Sequence, residues 1–89
     1  MSESIERYEL ELRNVPRQRV LEYLEQAGGT LVEALVAQGS GWQARLQALD
    51  PVVLGIATIP RDLLILEGRP DALRPVYDHM RRMTMRGGG

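Results

Sequence analysis

Strict alternation of apolar and charged residues limits what this chain can fold into more than any other feature. Tyr8, Leu10 and Leu12 interleave with Arg7, Glu9, Glu11 and Arg13. A period of two sends one set to each face of a strand, so residues 5–13 read as a strand with one wet face. The same pattern returns where Trp42, Ala44, Leu46 and Ala48 alternate with Gln43, Arg45 and Gln47. Two half-wet strands call for an antiparallel sheet with other elements covering its dry face.

Helical spacing supplies the cover. Asn14 is positioned to cap a helix with Pro16 in its first turn, and Val20, Leu21, Leu24 and Ala27 recur along one stripe before Gly28 and Gly29 stop it. A second stripe, Leu73, Val76, Tyr77, Met80 and Met83 or Thr84, marks a final helix that starts irregularly near Asp71 and becomes regular after Pro75.

Between the helices, residues 30–38 read as one strand. Gly39-Ser40-Gly41 forms a three-residue loop with Gly41 at positive φ, which pairs Gln38 with Trp42, Val36 with Ala44 and Val32 with Ala48. Asp50-Pro51 interrupts the pattern. The β-branched run Val52–Ile59 is a fourth strand, Pro60-Arg61-Asp62 a turn, and residues 63–67 a fifth strand ended by Gly68. The resulting order is β-α-β-β-β-β-α, an α+β fold with one antiparallel sheet and two helices on one face. A ferredoxin-like arrangement would need a helix over residues 52–60, against their Val, Ile and Thr content.

With 89 residues the chain has one core, and with no Phe, one Trp and three Tyr that core is aliphatic. Residues 1–86 are expected to form the single domain, with 87–89 a flexible glycine tail. The absence of Cys excludes disulfides, thiolate metal sites and cysteine nucleophiles, and the absence of Lys excludes Schiff-base chemistry. Nothing resembles a secretory leader or a membrane span, so a cytoplasmic location is expected. Five Arg stand against eight acids over residues 1–60 (net −3), and six against four over residues 61–89 (net +2). So mild an asymmetry, with Arg and acidic residues intermixed, argues against nucleic acid as a partner.

Chemistry-bearing residues are few. His79 lies at the edge of the last helix's apolar stripe and reads as a partly exposed surface residue. Asp50, Asp62, Asp71 and Asp78 lack ligand spacing, and Asp62 and Asp71 suit turn and cap positions. Glu33 is expected to pair across the hairpin with Arg45. Ser40 sits in a hairpin turn, which is no nucleophile elbow, and neither glycine cluster is followed by the Gly-Lys-Ser/Thr of a phosphate loop. We therefore expect no enzyme activity, no metal and no cofactor.

The remaining signals concern partners. Leu31, Leu35, Leu54, Ile56, Leu63 and Ile65 place apolar groups on both sheet faces and imply an interface, through which a homodimer or another protein partner would pack. Arg81, Arg82 and Arg86 are the candidates for a weak nucleic-acid contact. Gly88 and Gly89 close a tail, Arg86-Gly87-Gly88-Gly89, of the kind that ubiquitin-like sulfur carriers and modifiers thread into an adenylating enzyme.

Several of these landmarks occur together in one family. The run Val20-Leu21-Glu22-Tyr23-Leu24 to Gly28-Gly29-Thr30, then Asp50-Pro51 with Gly55 and Ile59-Pro60, then Glu67-Gly68 and the glycine tail, resembles the C-terminal domain of MoaD-related proteins. The resemblance covers most of the chain from about residue 15. It implies a TATA-binding-protein-like β-α-β4-α fold and a link to molybdenum-cofactor or sulfur-carrier biology, and it implies no catalytic residue. The ubiquitin-like module that precedes the domain in that family has no counterpart in this sequence.

Overall fold

A computed structural model describes residues 4–87. The first alternating segment forms β1 (Glu6–Arg13), and the helical stripe that follows forms α1 (Arg17–Gln26). Four strands succeed it, β2 (Thr30–Glu33), β3 (Val36–Gly39), β4 (Trp42–Leu54) and β5 (Ala57–Gly68), and α2 (Pro70–Gly87) closes the order. All pairings are antiparallel in one sheet of order β1-β5-β4-β3-β2. The fold is α+β, as the alternation requires.

Both helices cover one face. Leu12, Trp42, Ala44, Leu46, Leu64 and Leu66 point from the sheet into a core completed by Val20 and Leu24 of α1 and Leu73, Val76 and Met80 of α2. Trp42 sets the spacing between layers. A Cβ at Gly29 would lie 2.7 Å from its ring, and one at Gly39 would clash with Cε2 and Nε1 of the indole, so two glycines make the seat for the largest core side chain. The end of α1 has the double bond of a glycine cap: Gly28 N–H donates to Glu25 O and Gly29 N–H to Leu24 O, with Gly28 at φ +99°.

The strand count matches the sequence reading, but the boundaries shift by compensation. Residues 30–38 are not one strand. They fold into a hairpin at Ala34-Leu35, with a bulge at Val32. Neither turn residue has positive φ, so no glycine marks the bend. Its gain is that Leu35 packs against the core while its carbonyl accepts the Leu46 N–H at 2.9 Å.

The next turn uses two residues, Ser40-Gly41, instead of three. Gly39 therefore pairs with Trp42, Gln38 with Gln43, Ala37 with Ala44 and Val36 with Arg45, replacing the expected pairs Gln38–Trp42, Val36–Ala44 and Val32–Ala48. Gly41 does take positive φ, at +83°.

Asp50-Pro51 does not end a strand. Both residues lie within β4 at a bulge, two of them opposing Pro60 between the pairs Leu49–Arg61 and Val52–Ile59. A proline fits there because the ladder is already interrupted. Pro60-Arg61-Asp62 is likewise not a turn but part of β5. Pro60 O accepts the Asn14 N–H at 2.9 Å, and in a strand the N–H of a residue points to the same side as its C=O. The donor that Pro60 lacks would therefore face past the end of β1, where no strand waits to accept it. The expected strand 52–59 is instead split by a tight turn at Gly55-Ile56, with Gly55 at φ +61°.

Two helix ends also differ from expectation. Asn14 does not cap α1. It takes φ +58° at the exit of β1, an Asn-tolerated left-handed position, and Pro16 is the cap residue without a side-chain bond. α2 is helical from Pro70 onward, with Pro75 inside it, and the Leu73 N–H bond to Arg69 O at 2.8 Å secures its first turn.

Candidate interaction surface

The β4–β5 hairpin is longer than the sheet it belongs to. β1 pairs with β5 only as far as Arg61, and β3 pairs with β4 only as far as Arg45, so residues 49–61 project as a two-stranded arm. The molecule is correspondingly elongated, 53 × 24 × 23 Å. Nine consecutive arm residues, 52–60, carry no charge. At the tip Ile56 is fully exposed (107%), followed by Val53 (66%) and Leu54 (59%).

Pairing fixes the two faces of the arm. Val53 and Thr58 lie on the side that the helices cover in the body, together with Pro60 and its bulge partners. Val52, Leu54, Ala57 and Ile59 lie on the side that continues the open face of the sheet. A two-stranded ribbon without a covering layer is marginal in water, and this one leaves aliphatic groups uncovered on both sides.

Ion pairs anchor the base of the arm. Arg17 at the start of α1 grips Asp62 with Nη2–Oδ1 2.8 Å and Nε–Oδ2 3.1 Å, a bidentate pair around a buried carboxylate. On the opposite face Arg61 bonds Glu11 at 2.5 Å and Asp50 O at 2.6 Å, while Arg13 bonds the same Glu11 at 2.9 Å. Hydrogen bonds from Arg13 and then Arg61 hold the Glu11 carboxyl below its usual range. Those from Arg74 and Tyr8 do the same for Glu6. Between the N-terminal end of α1 and the arm lies a cleft of about 330 Å3, lined by Val15, Pro16, Ala48, Pro51, Pro60 and the Arg17–Asp62 pair among others.

The six apolar residues expected at an interface are not gathered into one patch. Leu54 and Ile56 are on the arm, and Leu31 is on the edge strand β2. Leu63 is half-buried on the open face. Leu35 packs against the core, and Ile65 is only 3% exposed, flanked in register by Glu9 and Arg45. These last two are corrections, since Ile65 is buried and Leu35 is partly buried against the core. The sequence reading missed Val53, whose exposure arises because the arm outruns its neighbours, and neighbour length leaves no local signal.

Some of the remaining candidates have structural roles. His79 Nε2 lies 3.2 Å from Gln26 Oε1 and links the two helices. The expected Glu33–Arg45 pair does not form, because β3 separates β2 from β4. Asp62 is an ion-paired strand residue in place of a turn residue. Arg81 lies over the Tyr77 ring at 5.9 Å, and Tyr77 stacks on Tyr8 with centroids 4.2 Å apart, while Arg82 is exposed. The Arg86 side chain, Gly88 and Gly89 fall outside the described residues. Among the described residues, no group of three or more His, Asp or Glu could hold a metal ion, and no helix is long and apolar enough to cross a membrane.

The chain matches a known family model. The profile described as Archaeal MoaD-like protein covers residues 8–89. The chain belongs to the archaeal MoaD-like protein family. The match includes both helices, all but the first residues of β1, and the whole arm, so the projecting hairpin lies inside the family's own boundaries. No curated protein matches the chain.

Proposed function

We propose that this archaeal MoaD-like protein is a non-enzymatic interaction module that works as a homodimer in the cytoplasm and docks through its projecting arm. Its place is among the assemblies of molybdenum-cofactor or sulfur-carrier chemistry. The single observation that carries the reading is the uncharged arm, with Ile56 fully exposed beside Val53 and Leu54. Val53 and Leu54 face opposite ways, and fully burying one such side chain contributes about 1.5–3 kcal/mol, so Ile56 and one of that pair from each of two copies contribute at most about 6–12 kcal/mol. The cost of association is about 4–15 kcal/mol. An arm-mediated dimer therefore falls within reach of this surface alone.

Light scattering after size exclusion, across a dilution series, tests the reading. The unaltered chain is expected at twice its monomer mass and Ile56→Asp at the monomer mass, with unchanged circular dichroism. A monomer at every concentration, with no partner retained through the arm, would sink it.

A second reading has support from the sequence of the tail and from the family. Activation at the Gly89 carboxylate would make the chain a carrier. Against it, α2 remains helical through Gly87, which holds Arg86 and Gly87 in a helix when a threading tail must be extended. An intact mass from the native host, raised by the exchange of one oxygen for sulfur, would favour the carrier.

A further inference from the structure

Resting on the reading of the arm as a docking element, we infer that its receptor is the cleft at the base of the arm on a second copy of this chain, with the two arms stacked reciprocally. The body is a two-layer structure in which helices cover one sheet face. Over the arm that second layer is missing, and it ends abruptly at Val15, Pro16 and Arg17, where α1 begins. A sheet stacked face to face sits about 10 Å away. A second arm laid on the helix-side face of the first therefore occupies the level that the helices occupy over the body.

Two-fold symmetry then decides where each tip falls. When two arms pack antiparallel, the tip of one must lie at the base of the other. That is where the 330 Å3 cleft opens, on the same helix-side face, walled by Val15, Pro16, Pro51 and Pro60. Ile56 is the fully exposed aliphatic residue at the tip.

A proline favours stacking over strand addition. Pro60 removes a backbone donor on the outer edge of β5 at the root of the arm, so a strand added along that edge would leave an acceptor unpaired there. The occupant is a second copy, because the arm offers no charge from residue 52 to 60 for a charged partner to read, and its own face is the apolar match for itself. About eight residues per copy, at roughly 60–120 Å2 each, bury roughly 1,000–1,900 Å2 in the pair. A standard stable interface buries about 1,200–2,000 Å2.

The absence of cysteine makes this directly testable by cross-linking. In the doubly substituted full chain Ile56→Cys/Pro16→Cys, the two positions are about 17 Å or more apart within one copy, the length of five strand residues. A disulfide needs Cα atoms within about 7 Å. Mild oxidation is expected to give a covalent dimer whose peptide map joins position 56 to position 16. In parallel, Val53→Arg on the stacked face should weaken dimerisation at least about tenfold, and Ala57→Arg on the other face should leave it unchanged. A dimer that links only like positions, that forms no link, or that responds to Ala57→Arg instead of Val53→Arg overturns the reciprocal seat and leaves the dimer reading intact. A chain that is monomeric before oxidation overturns both.

Discussion

Gly39→Ala probes the layer spacing set by Trp42 with a single methyl group. Gly39 does not have positive φ, so its backbone accepts alanine. What forbids the methyl is space, since a Cβ would fall among Cε2, Nε1 and Cζ2 of the Trp42 indole. The ring cannot retreat freely, because Gly29 lies against its Cη2 edge. Overpacking of this kind costs about 1–3 kcal/mol. A domain of this size loses about 4–8 °C per kcal/mol, so thermal unfolding followed by circular dichroism should show a fall of about 10 °C. In a Trp42→Leu background the clash is gone, and Gly39→Ala should change stability by less than about 0.5 kcal/mol, giving a coupling of about 1–3 kcal/mol. Gly28→Ala is the control. Nothing lies within 4 Å of its Cβ but φ is +99°, so it should cost about 1–2 kcal/mol of backbone strain equally in both backgrounds. A Gly39→Ala protein that melts within about 2 °C of wild type, or that loses the same amount with and without Trp42, would refute the steric argument.

Further expectations follow from the core and from the charged rim. Leu64→Ala at the centre of β5, fully buried between β1 and β4, should lower unfolding free energy in urea by about 2–5 kcal/mol. Leu31→Ser on the exposed edge strand should stay within about 0.5 kcal/mol. Glu6 and Glu11 are depressed below the ordinary 4.5 in the folded chain, so the stability they add is present above that pH and is lost as pH falls through their folded values. Melting temperature should therefore drop on titration below 4.5, and Glu6→Gln with Glu11→Gln should flatten that drop while lowering stability at neutral pH.

Legibility in the sequence tracks how local each determinant is. β1 and the first half of β4 are read directly from alternation, and the end of α1 from Gly28-Gly29, because each depends on neighbouring residues alone. The Ala34-Leu35 turn escapes notice because it needs no positive φ and hence no glycine. Its stabilisation comes from Leu46, eleven residues further along. Asp50-Pro51 and Pro60 read as strand breakers by propensity, yet tertiary context places them opposite one another at a bulge and past the end of β1, where a missing donor costs little. The arm follows the same logic. Leu54 and Ile56 are recognisable as apolar residues in excess, whereas the isolation of the segment that bears them depends on where β1 and β3 stop. Ile65 shows the reverse, an apolar residue on the wet face that is covered by its charged neighbours.

The bulge at Asp50-Pro51 shifts the phase of β4. Up to Ala48 the even-numbered residues face the helices, and from Val52 onward they face the opposite way. One inserted residue thus resets which letters of the sequence are inside and which are outside. The tip segment can accept substitutions written in its own phase without altering a single core position, and the core can be refined without rewriting the tip. A lineage that needed a different partner would have to edit only the stretch beyond that shift, and the body would carry the new tip unchanged.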